Sequence, residues 1–399
     1  MVENRRVIIA GAGPVGCVAA LILSRAGIPV TILEAENDLQ MDLRASTFHP
    51  PTLDMLADLD VTPALIAQGL ISPTFQYRDR ENGLLAEFDL SGLSAHTRHP
   101  FRLQCEQFKL TIELARRLKD FPETQLLFGA RLELLVQTAD KVCVTYLKDG
   151  ASHIVEGEYL VAADGARSLV RKSLGIDFPG FTYPELFVVA STSEDLTRAM
   201  PGLANVSYIS DPDEWCALIR APDLWRFLFP VKPETSREEA LTTQYLQPRM
   251  QKMVPKAQPY EIAHRTLYDV HQRVAERYRE GRVFLAGDSA HINNPLGGMG
   301  MNGGIHDAVN LAEKLVAVMT GKAAEGVLDR YERQRRPVAI EYVQAQTHRN
   351  KQTLEERDPE VRCQRQQEMK ETAGDPVRAE ALMLRVSMID AVRKSQSLA

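Results

Sequence analysis

A glycine-rich stretch near residue 300 carries the residue types best suited to chemistry. A short apolar run at residues 282–286 ends at Gly287 and Asp288, so a carboxylate follows a predicted strand directly. A loop at residues 297–302 then precedes apolar residues at helical spacing up to residue 319. The spacing predicts that this loop opens a helix, where free backbone N–H groups and the positive end of the helix dipole meet. Its glycines would let an electron-rich ligand approach the backbone closely.

A second glycine motif lies near the amino terminus. An apolar strand pattern at residues 5–10 runs into GAGPVG and then into a helical pattern, the order found in dinucleotide-binding units. Gly11 can make the sharp turn, Gly13 leaves space for a diphosphate, and Gly16 lets the helix pack on the strand. Glu34 ends the next apolar run, where an acid ordinarily binds ribose hydroxyls.

The two motifs together indicate a flavin rather than a nicotinamide dinucleotide. The GxGxxG motif alone suits NAD as well as FAD. FAD needs a second contact beside its ribityl chain and ring, and the segment with Gly287 and Asp288 supplies one. A flavin ring becomes an anion on two-electron reduction, which favours a position at a helix N-terminus.

A third candidate contact follows an apolar run at residues 159–163. Asp164 and Gly165 come next and lead into a short helical pattern, so we expect Asp164 to approach the dinucleotide. A simple strand–turn–helix without ligand contact is the alternative. Upstream, residues 131–136 and 141–147 alternate as a β-hairpin.

The composition limits the class of protein. Lys and Arg total 47 against 53 Asp and Glu, which argues against nucleic acid as the main partner. No run approaches the roughly twenty apolar residues that span a bilayer, and the first apolar run is already the nucleotide strand. We therefore expect a cytoplasmic protein without a membrane span or signal peptide. The five cysteines lack metal-ligand and CxxC spacing, which predicts no metal site and buried free thiols.

The pattern predicts an α/β protein made of a Rossmann-type FAD-binding domain, an inserted substrate domain and C-terminal helices. The FAD-binding domain is discontinuous and comprises residues 1–74, 91–185 and 269–345. Residues 75–90 and 186–268 form the substrate domain, a mostly antiparallel β-sheet that would close a pocket over the ring. Residues 346–399 form the helical segment. Before it, an arginine-rich run at residues 333–336 predicts a solvated or ion-paired helix face.

The three glycine-containing elements, in this order and spacing, resemble the group A flavoprotein monooxygenases. These are single-component FAD hydroxylases with the p-hydroxybenzoate hydroxylase fold, and the resemblance spans about residues 5–345. Residues 268–275, before GRVFLAGDSAH, are similar to the branch that contains 3-(3-hydroxyphenyl)propionate hydroxylases. Ser289 and the pair Asn293-Asn294 depart from the alanine and proline that are commoner in the family.

The resemblance implies a reaction and its partners. NADH or NADPH would act as a transient co-substrate, and O₂ would hydroxylate a small phenolic or heteroaromatic molecule through a flavin C4a-hydroperoxide. An FAD-dependent reductase or dehydrogenase without oxygen insertion is the alternative on the same fold. A dinucleotide-binding escort protein without redox chemistry is the alternative from another class. The sequence leaves the oligomeric state open, with a homodimer as one option.

The motifs and the resemblance assign site residues one by one. FAD contacts are expected for Gly11, Gly13, Gly16, Glu34, Arg44, Gln104, Asp164, Asp288, Pro295, Gly298, Gly300, Met301 and Asn302. The catalytic candidates are Pro295, which would face the ring where substrate arrives, His271 and Tyr208. His271 is proposed because imidazole titrates near neutral pH, although a structural histidine is the simpler interpretation. Tyr208, Tyr183 and Arg220 lie on the expected sheet, whose inward face the alternation does not reveal.

Overall fold

The computed structural model describes residues 5–41 and 45–399. In these ranges the strands are β1 (Val7–Ala10), β2 (Val30–Leu33), β3 (Thr47–Phe48), β4 (Leu70–Ser72), β5 (Thr74–Asp79), β6 (Gly83–Asp89), β7 (Arg102–Gln104), β8 (Thr124–Leu127), β9 (Arg131–Gln137), β10 (Val142–Lys148), β11 (Ala151–Gly157), β12 (Tyr159–Ala162), β13 (Gly180–Thr182), β14 (Leu186–Thr192), β15 (Val206–Ser210), β16 (Cys216–Arg220), β17 (Trp225–Val231), β18 (His264–Tyr268), β19 (His271–Val274), β20 (Arg279–Glu280), β21 (Val283–Leu285) and β22 (His291–Ile292).

The α-helices alternate with these strands in the first part of the chain and dominate its end. They are α1 (Pro14–Arg25), α2 (Pro50–Ala57), α3 (Thr62–Ile66), α4 (Gln107–Leu118), α5 (Leu169–Ser173), α6 (Arg237–Ala240), α7 (Thr243–Met253), α8 (Met299–Met319), α9 (Asp329–Val338), α10 (Ala345–Leu354), α11 (Pro359–Gly374), α12 (Pro376–Val386) and α13 (Ile389–Ser397). A π-helical turn, Ala339–Gln344, joins α9 to α10. Among the described residues, no helix combines the length and the apolar character needed to cross a membrane.

A six-stranded sheet forms the centre of the nucleotide-binding part. Its order is β20-β21-β12-β1-β2-β8, and β1 pairs in parallel with both β12 and β2. Every residue of β1, β2 and β12 is buried, as expected for parallel strands covered by helices on both faces. Because parallel strands end at the same edge, the turns after β1, β12 and β21 lie side by side.

A seven-stranded sheet forms the second layer, in the order β18-β14-β17-β16-β15-β5-β6. Its neighbours are antiparallel except for the parallel pair β15 and β5. Two distant parts of the chain therefore build one sheet, which confirms the predicted mostly antiparallel insertion. The domain boundaries themselves stay predictions.

The C-terminal helices pack on the face of this sheet that looks toward the nucleotide-binding part. Side chains from β5, β6, β15 and β17 form a buried cluster there with Leu296 from the loop before α8. Leu354, Met383, Val386 and Ile389 from α10, α12 and α13 belong to the same cluster. The helical end of the chain thus completes the core between the two layers.

Three expectations from the sequence need correction. The hairpin of β9 and β10 is confirmed, but β11 adds a third antiparallel strand whose exposed, polar residues hide its pattern. Cys363 is exposed and Cys143 is half-buried, so buried thiols are found only at Cys17, Cys105 and Cys216. In the arginine-rich run, the ion-paired alternative holds for Arg335, but its side chain is buried instead of lying on a surface face.

Candidate active site

The first glycine turn has the steric requirements that its motif predicts. Gly11 has φ +99°, and a Cβ atom there would lie 2.4 Å from the carbonyl oxygen of Ala163. A Cβ atom at Gly16 would lie 2.0 Å from the carbonyl oxygen of Gly11. By contrast, no protein atom lies within 4 Å of the Cβ position of Gly13. The turn is therefore tightly packed on the protein side and open at Gly13, where α1 begins.

The carboxylate of Glu34 is fixed beside this turn. It follows β2, and its Oε2 accepts a hydrogen bond of 2.7 Å from the backbone N–H of Ala12. Its Oε1 accepts one of 3.0 Å from the backbone N–H of Glu36. Because Glu34 is only partly buried, it can also meet a hydroxyl-bearing ligand at the edge of the sheet.

The turn after β12 lies next to Gly11, and the predicted contact Asp164 begins it. Its Oδ2 accepts a hydrogen bond of 3.2 Å from the backbone N–H of Val170 at the start of α5. Burial raises the pKa of Asp164, and Oδ1 is buried without a hydrogen-bond partner among the described residues. A strand–turn–helix without ligand contact thus explains the hydrogen bond of Oδ2, but it leaves the buried Oδ1 without a partner among the described residues.

The turn after β21 is fixed from two sides and leaves Asp288 exposed. The Ser289 hydroxyl donates to the carbonyl oxygen of Ala162 at 2.6 Å and accepts from the backbone N–H of Ala286 at 3.0 Å. The backbone N–H of Gly287 donates to Asp307 on α8 at 3.2 Å. Ser289, a departure from the family pattern, therefore ties this turn to β12.

The loop before α8 is held in shape by Asn302. Gly297 and Gly298 have φ of +101° and +66°, and α8 begins at the next residue, as predicted. The Asn302 amide nitrogen donates to the carbonyl oxygens of Thr47 at 2.8 Å and Gly298 at 2.7 Å. Its Oδ1 accepts from the backbone N–H of His49 at 2.9 Å. The buried side chain of Asn302 thus positions the loop, and its backbone is the part left to contact a ligand.

A cavity of about 360 Å³ lies between this loop and the seven-stranded sheet. The predicted residues that line it are His271, Asp288, Pro295, Gly298, Gly300 and Met301. Sequence reasoning missed the wall contributed by Ser46, Thr47, Val189, Ile219, Arg226 and Leu228. Alternation along β16 and β17 could have found the last three residues only if the inward face of the sheet had been known.

Other predicted residues lie outside this wall. Gln104 is buried on β7, and its Oε1 accepts a hydrogen bond of 2.9 Å from the Thr47 hydroxyl. Tyr208 is buried on the inward face of the sheet and stacks on Tyr77 with ring centroids 5.4 Å apart. Arg44 falls outside the described residues.

The three remaining polar candidates have distinct surroundings. The Nδ1 atom of half-buried His271 lies 2.9 Å from the Thr182 hydroxyl. The Tyr183 hydroxyl lies 2.9 Å from Nδ1 of His348, away from the cavity wall. The Arg220 guanidinium lies 5.6 Å from the centre of the Trp225 ring, on the opposite face of the sheet. His271 is therefore the one of the three that reaches the cavity.

Two further histidines are fully buried, one against the loop before α8 and one between α8 and α2. His49 Nε2 lies 2.7 Å from the carbonyl oxygen of Gly297, and His306 Nε2 lies 2.8 Å from the Thr52 hydroxyl. Burial lowers the pKa of His49 to about 3, and the charge of Arg102 acts in the same direction. Burial likewise lowers the pKa of His306 to about 3. Both imidazoles are therefore neutral in these contacts.

Comparisons with known proteins agree with this architecture. Residues 4–346 match the FAD binding domain family, and the chain belongs to that family. Para-nitrophenol 4-monooxygenase of Pseudomonas sp. strain WBC-3 is 33% identical, with 92% of each chain covered. The 6-hydroxy-3-succinoylpyridine 3-monooxygenase of Pseudomonas putida is 33% identical over 90% of this chain and 91% of its own. A crystal structure of p-nitrophenol 4-monooxygenase from Pseudomonas putida superposes with a TM-score of 0.91, at 30% identity over 98% of each chain.

These findings confirm the predicted family, fold and activity class. The chain is an FAD-dependent aromatic monooxygenase of the group A type, and the reductase alternative is not favoured. A 3-(3-hydroxy-phenyl)propionate/3-hydroxycinnamic acid hydroxylase of Mycolicibacterium gilvum is 30% identical over 83% of this chain and 57% of its own. The hydroxyphenylpropionate hydroxylase branch, which the sequence resembles, is thus represented among the relatives.

Proposed function

We propose that the enzyme uses NADH or NADPH and O₂ to hydroxylate a small phenolic or hydroxylated heteroaromatic molecule. The observation that carries this proposal is the cavity between the α8 loop and the seven-stranded sheet, whose wall contains Asp288, Pro295 and Gly298. Relatives named for nitrophenol and hydroxypyridine oxidation favour the same class of substrate.

The residues that would hold FAD fall into two groups. Open space at Gly13 and the fixed carboxylate of Glu34 suit the diphosphate and the ribose of the adenosine half. Asp288 and the backbone of residues 298–301 suit the ribityl chain and the ring, because α8 presents its free N–H groups there. Bound FAD supplies hydride acceptance and oxygen activation, which the side chains lack.

The chain itself must exclude water from the reacting ring. Val189, Ile219 and Leu228 form an apolar side of the cavity on the inward face of the sheet. Pro295 adds a rigid apolar contact on the opposite loop. In this proposal the sheet is the substrate domain, and its apolar face holds the aromatic ring against the cofactor side.

His271 is proposed to accept the proton from the substrate hydroxyl. If Nδ1 donates to the Thr182 hydroxyl, Nε2 is left as an acceptor on the cavity side of β19. Tyr208 stays a weaker candidate, because it lies on the correct face of the sheet but behind the cavity wall.

The proposal is tested with purified protein, para-nitrophenol and a set of hydroxypyridines. We expect bound FAD, oxidation of NADH or NADPH that accelerates when a ring is added, and a product that gains one oxygen atom by mass spectrometry. A ring that accelerates nicotinamide oxidation in air and is recovered unchanged would instead indicate uncoupled oxidase activity. No acceleration and no product across the whole set would refute hydroxylation of this class.

A further inference from the structure

The side chain of Asn293 lies in the loop between β22 and α8 and lines the cavity. Its Nδ2 atom donates a hydrogen bond of 2.6 Å to the carbonyl oxygen of Asn294. Because a carbonyl oxygen can only accept, this bond fixes the orientation of the amide and makes Oδ1 its acceptor end. Oδ1 is buried and has no hydrogen-bond partner among the described residues.

The side chain of the next residue, Asn294, has a structural role instead. Its Oδ1 accepts a hydrogen bond of 3.0 Å from the backbone N–H of Leu296. The backbone N–H of Asn294 donates to Oε1 of Gln272 on β19 at 3.1 Å. These bonds hold the loop in place without any contribution from Oδ1 of Asn293. A buried oxygen that lacks a donor lowers stability, so the fold alone does not explain this unused acceptor.

Empty space adjoins Oδ1 of Asn293 on the side of α8. A Cβ atom built at Gly300 would lie 3.3 Å from Oδ1, and outside the nearby helix backbone it would meet no other described atom within 4 Å. Gly300 is in the first turn of α8 and lines the same cavity. An atom of a bound ligand can therefore take the place of the missing Cβ, close to hydrogen-bond distance from the unpartnered oxygen.

The free position beside Gly300 suits a neutral hydrogen-bond donor. An amide oxygen accepts from N–H and O–H groups, whereas a carbonyl or carboxylate oxygen in the same place would repel it. An apolar group there would leave Oδ1 of Asn293 buried and unpaired, which is unfavourable. Both rings expected in the cavity carry such a donor: the flavin has an imide N–H, and a phenolic substrate has a hydroxyl group.

We propose that Oδ1 of Asn293 is a ligand contact, which accepts a hydrogen bond from an N–H or O–H group of a ring bound beside Gly300. The donor is either the imide N–H of the flavin or the undissociated hydroxyl of the aromatic substrate. This inference rests on the proposed function, which places both rings in the cavity. The contact fixes the position of one ring relative to the loop that carries Pro295.

Two variants remove this contact in different ways. Asn293→Leu removes the acceptor at similar size, and Gly300→Ala fills the space that the donor needs. Gly374→Ala on α11 is the matched control, because its Cβ atom meets no atom within 4 Å. We expect all three apoproteins to unfold within about 3 °C of wild type. The first two variants should bind one of the two rings about tenfold or more weakly, and Gly374→Ala should bind both normally.

Two titrations, both read by flavin absorbance, distinguish the flavin from the substrate as the donor. FAD is titrated into the apoproteins, and a phenol and its methyl ether are titrated into the holoenzymes. Weaker FAD binding in Asn293→Leu, with ionisation of the bound flavin imide at a lower pH, identifies the flavin. Normal FAD binding, with loss of the wild-type preference for the phenol over its methyl ether, identifies the substrate. The double variant should lose no more than Asn293→Leu, since both changes remove one contact.

Normal affinity for both FAD and the phenol in Asn293→Leu would overturn the proposal. Equal weakening of the phenol and the methyl ether with normal FAD binding would assign Asn293 a packing role and overturn it as well. If the Asn293→Leu apoprotein unfolds early, Gly300→Ala decides alone, and normal binding of both rings in that variant contradicts the contact. These are binding measurements, so a wild-type enzyme that inserts no oxygen would refute the proposed hydroxylation and leave the result on Asn293 standing.

Discussion

Asp307 on α8 and Arg335 on α9 form a buried ion pair in which Oδ1 and Nε lie 2.6 Å apart. The second oxygen of Asp307 lies 2.7 Å from Nε2 of His291 and accepts from the backbone N–H of Gly287. Burial raises the pKa of Asp307, but His291 and Arg335 outweigh this effect and leave it below its usual range. One carboxylate thus connects α9 to the turn that carries Asp288.

Replacement of this carboxylate should destabilise the whole protein. We expect Asp307→Asn to lower the free energy of unfolding by about 3–5 kcal/mol, because Arg335 would remain buried without its counter-charge. Urea denaturation measures the loss. Asp329→Asn is the control, since Asp329 pairs with Arg279 at the surface and should cost no more than about 1 kcal/mol. Similar losses in the two variants would contradict the role of the buried pair.

The two buried, neutral histidines, His49 and His306, predict acid sensitivity. His49 and His306 have pKa values of about 3 in the folded protein, whereas an unfolded histidine titrates near pH 6.5. Between these values the unfolded chain binds more protons, so stability falls as the pH falls. The loss is up to about 1.4 kcal/mol per pH unit for each histidine.

The variant His306→Gln removes the contribution of one of the two histidines to the pH dependence of stability. Urea denaturation between pH 7.5 and pH 5 should show a shallower dependence of the unfolding free energy on pH in the variant, by up to about 1.4 kcal/mol per unit. His153→Gln, on the exposed part of strand β11, is the matched histidine control. An unchanged dependence in His306→Gln would mean that His306 is not buried as a neutral group.

Two alanine substitutions in the first glycine turn should impair the protein for different reasons: Gly11→Ala should impair folding, and Gly13→Ala should impair FAD binding. Gly11→Ala places a Cβ atom 2.4 Å from a backbone oxygen at φ +99°, so we expect poor folding even without cofactor. Gly13→Ala meets no protein atom within 4 Å, so the apoprotein should keep its stability within about 1 kcal/mol while FAD affinity falls. Thermal unfolding of the apoproteins and FAD titration separate the two effects. Normal FAD affinity in Gly13→Ala would exclude a diphosphate at this position.

Much of the nucleotide-binding part could be predicted, because its signals are local. Gly11, Gly16 and the start of α8 follow from glycines at fixed offsets between apolar strands and helices, and each is found where the pattern predicts. The cavity wall could not be predicted in the same way. Whether Arg226 or Arg220 faces inward depends on strand register, and a shift of one residue exchanges the two faces.

Long-range contacts explain the remaining differences. Asn302 stays a predicted FAD contact, but only through its backbone, because its side-chain amide bonds to Thr47, His49 and Gly298, of which the first two are far away in sequence. The burial of Arg335 depends on a single partner, Asp307, on another helix. No local pattern marks either contact, since charged and amide side chains are ordinarily exposed.

Loss of the Asp288 carboxylate should release the cofactor, whereas loss of the His271 imidazole should not. Asp288→Ala is expected to purify largely colourless, because the carboxylate at the cavity edge would no longer hold the ribityl region. His271→Ala should stay yellow and lose turnover, most strongly where the substrate hydroxyl is not already ionised. Absorbance after gel filtration gives the FAD content of each variant. Full flavin content in Asp288→Ala would remove that carboxylate from the cofactor site.

Labelled oxygen tests the central claim most directly. The FAD-loaded enzyme is supplied with NADH or NADPH and ¹⁸O₂, together with the ring that accelerates nicotinamide oxidation most. The account predicts a hydroxylated product that carries one ¹⁸O atom, with water as the fate of the second. A product whose added oxygen comes from unlabelled water, or complete conversion of ¹⁸O₂ to hydrogen peroxide with the ring unchanged, would contradict it.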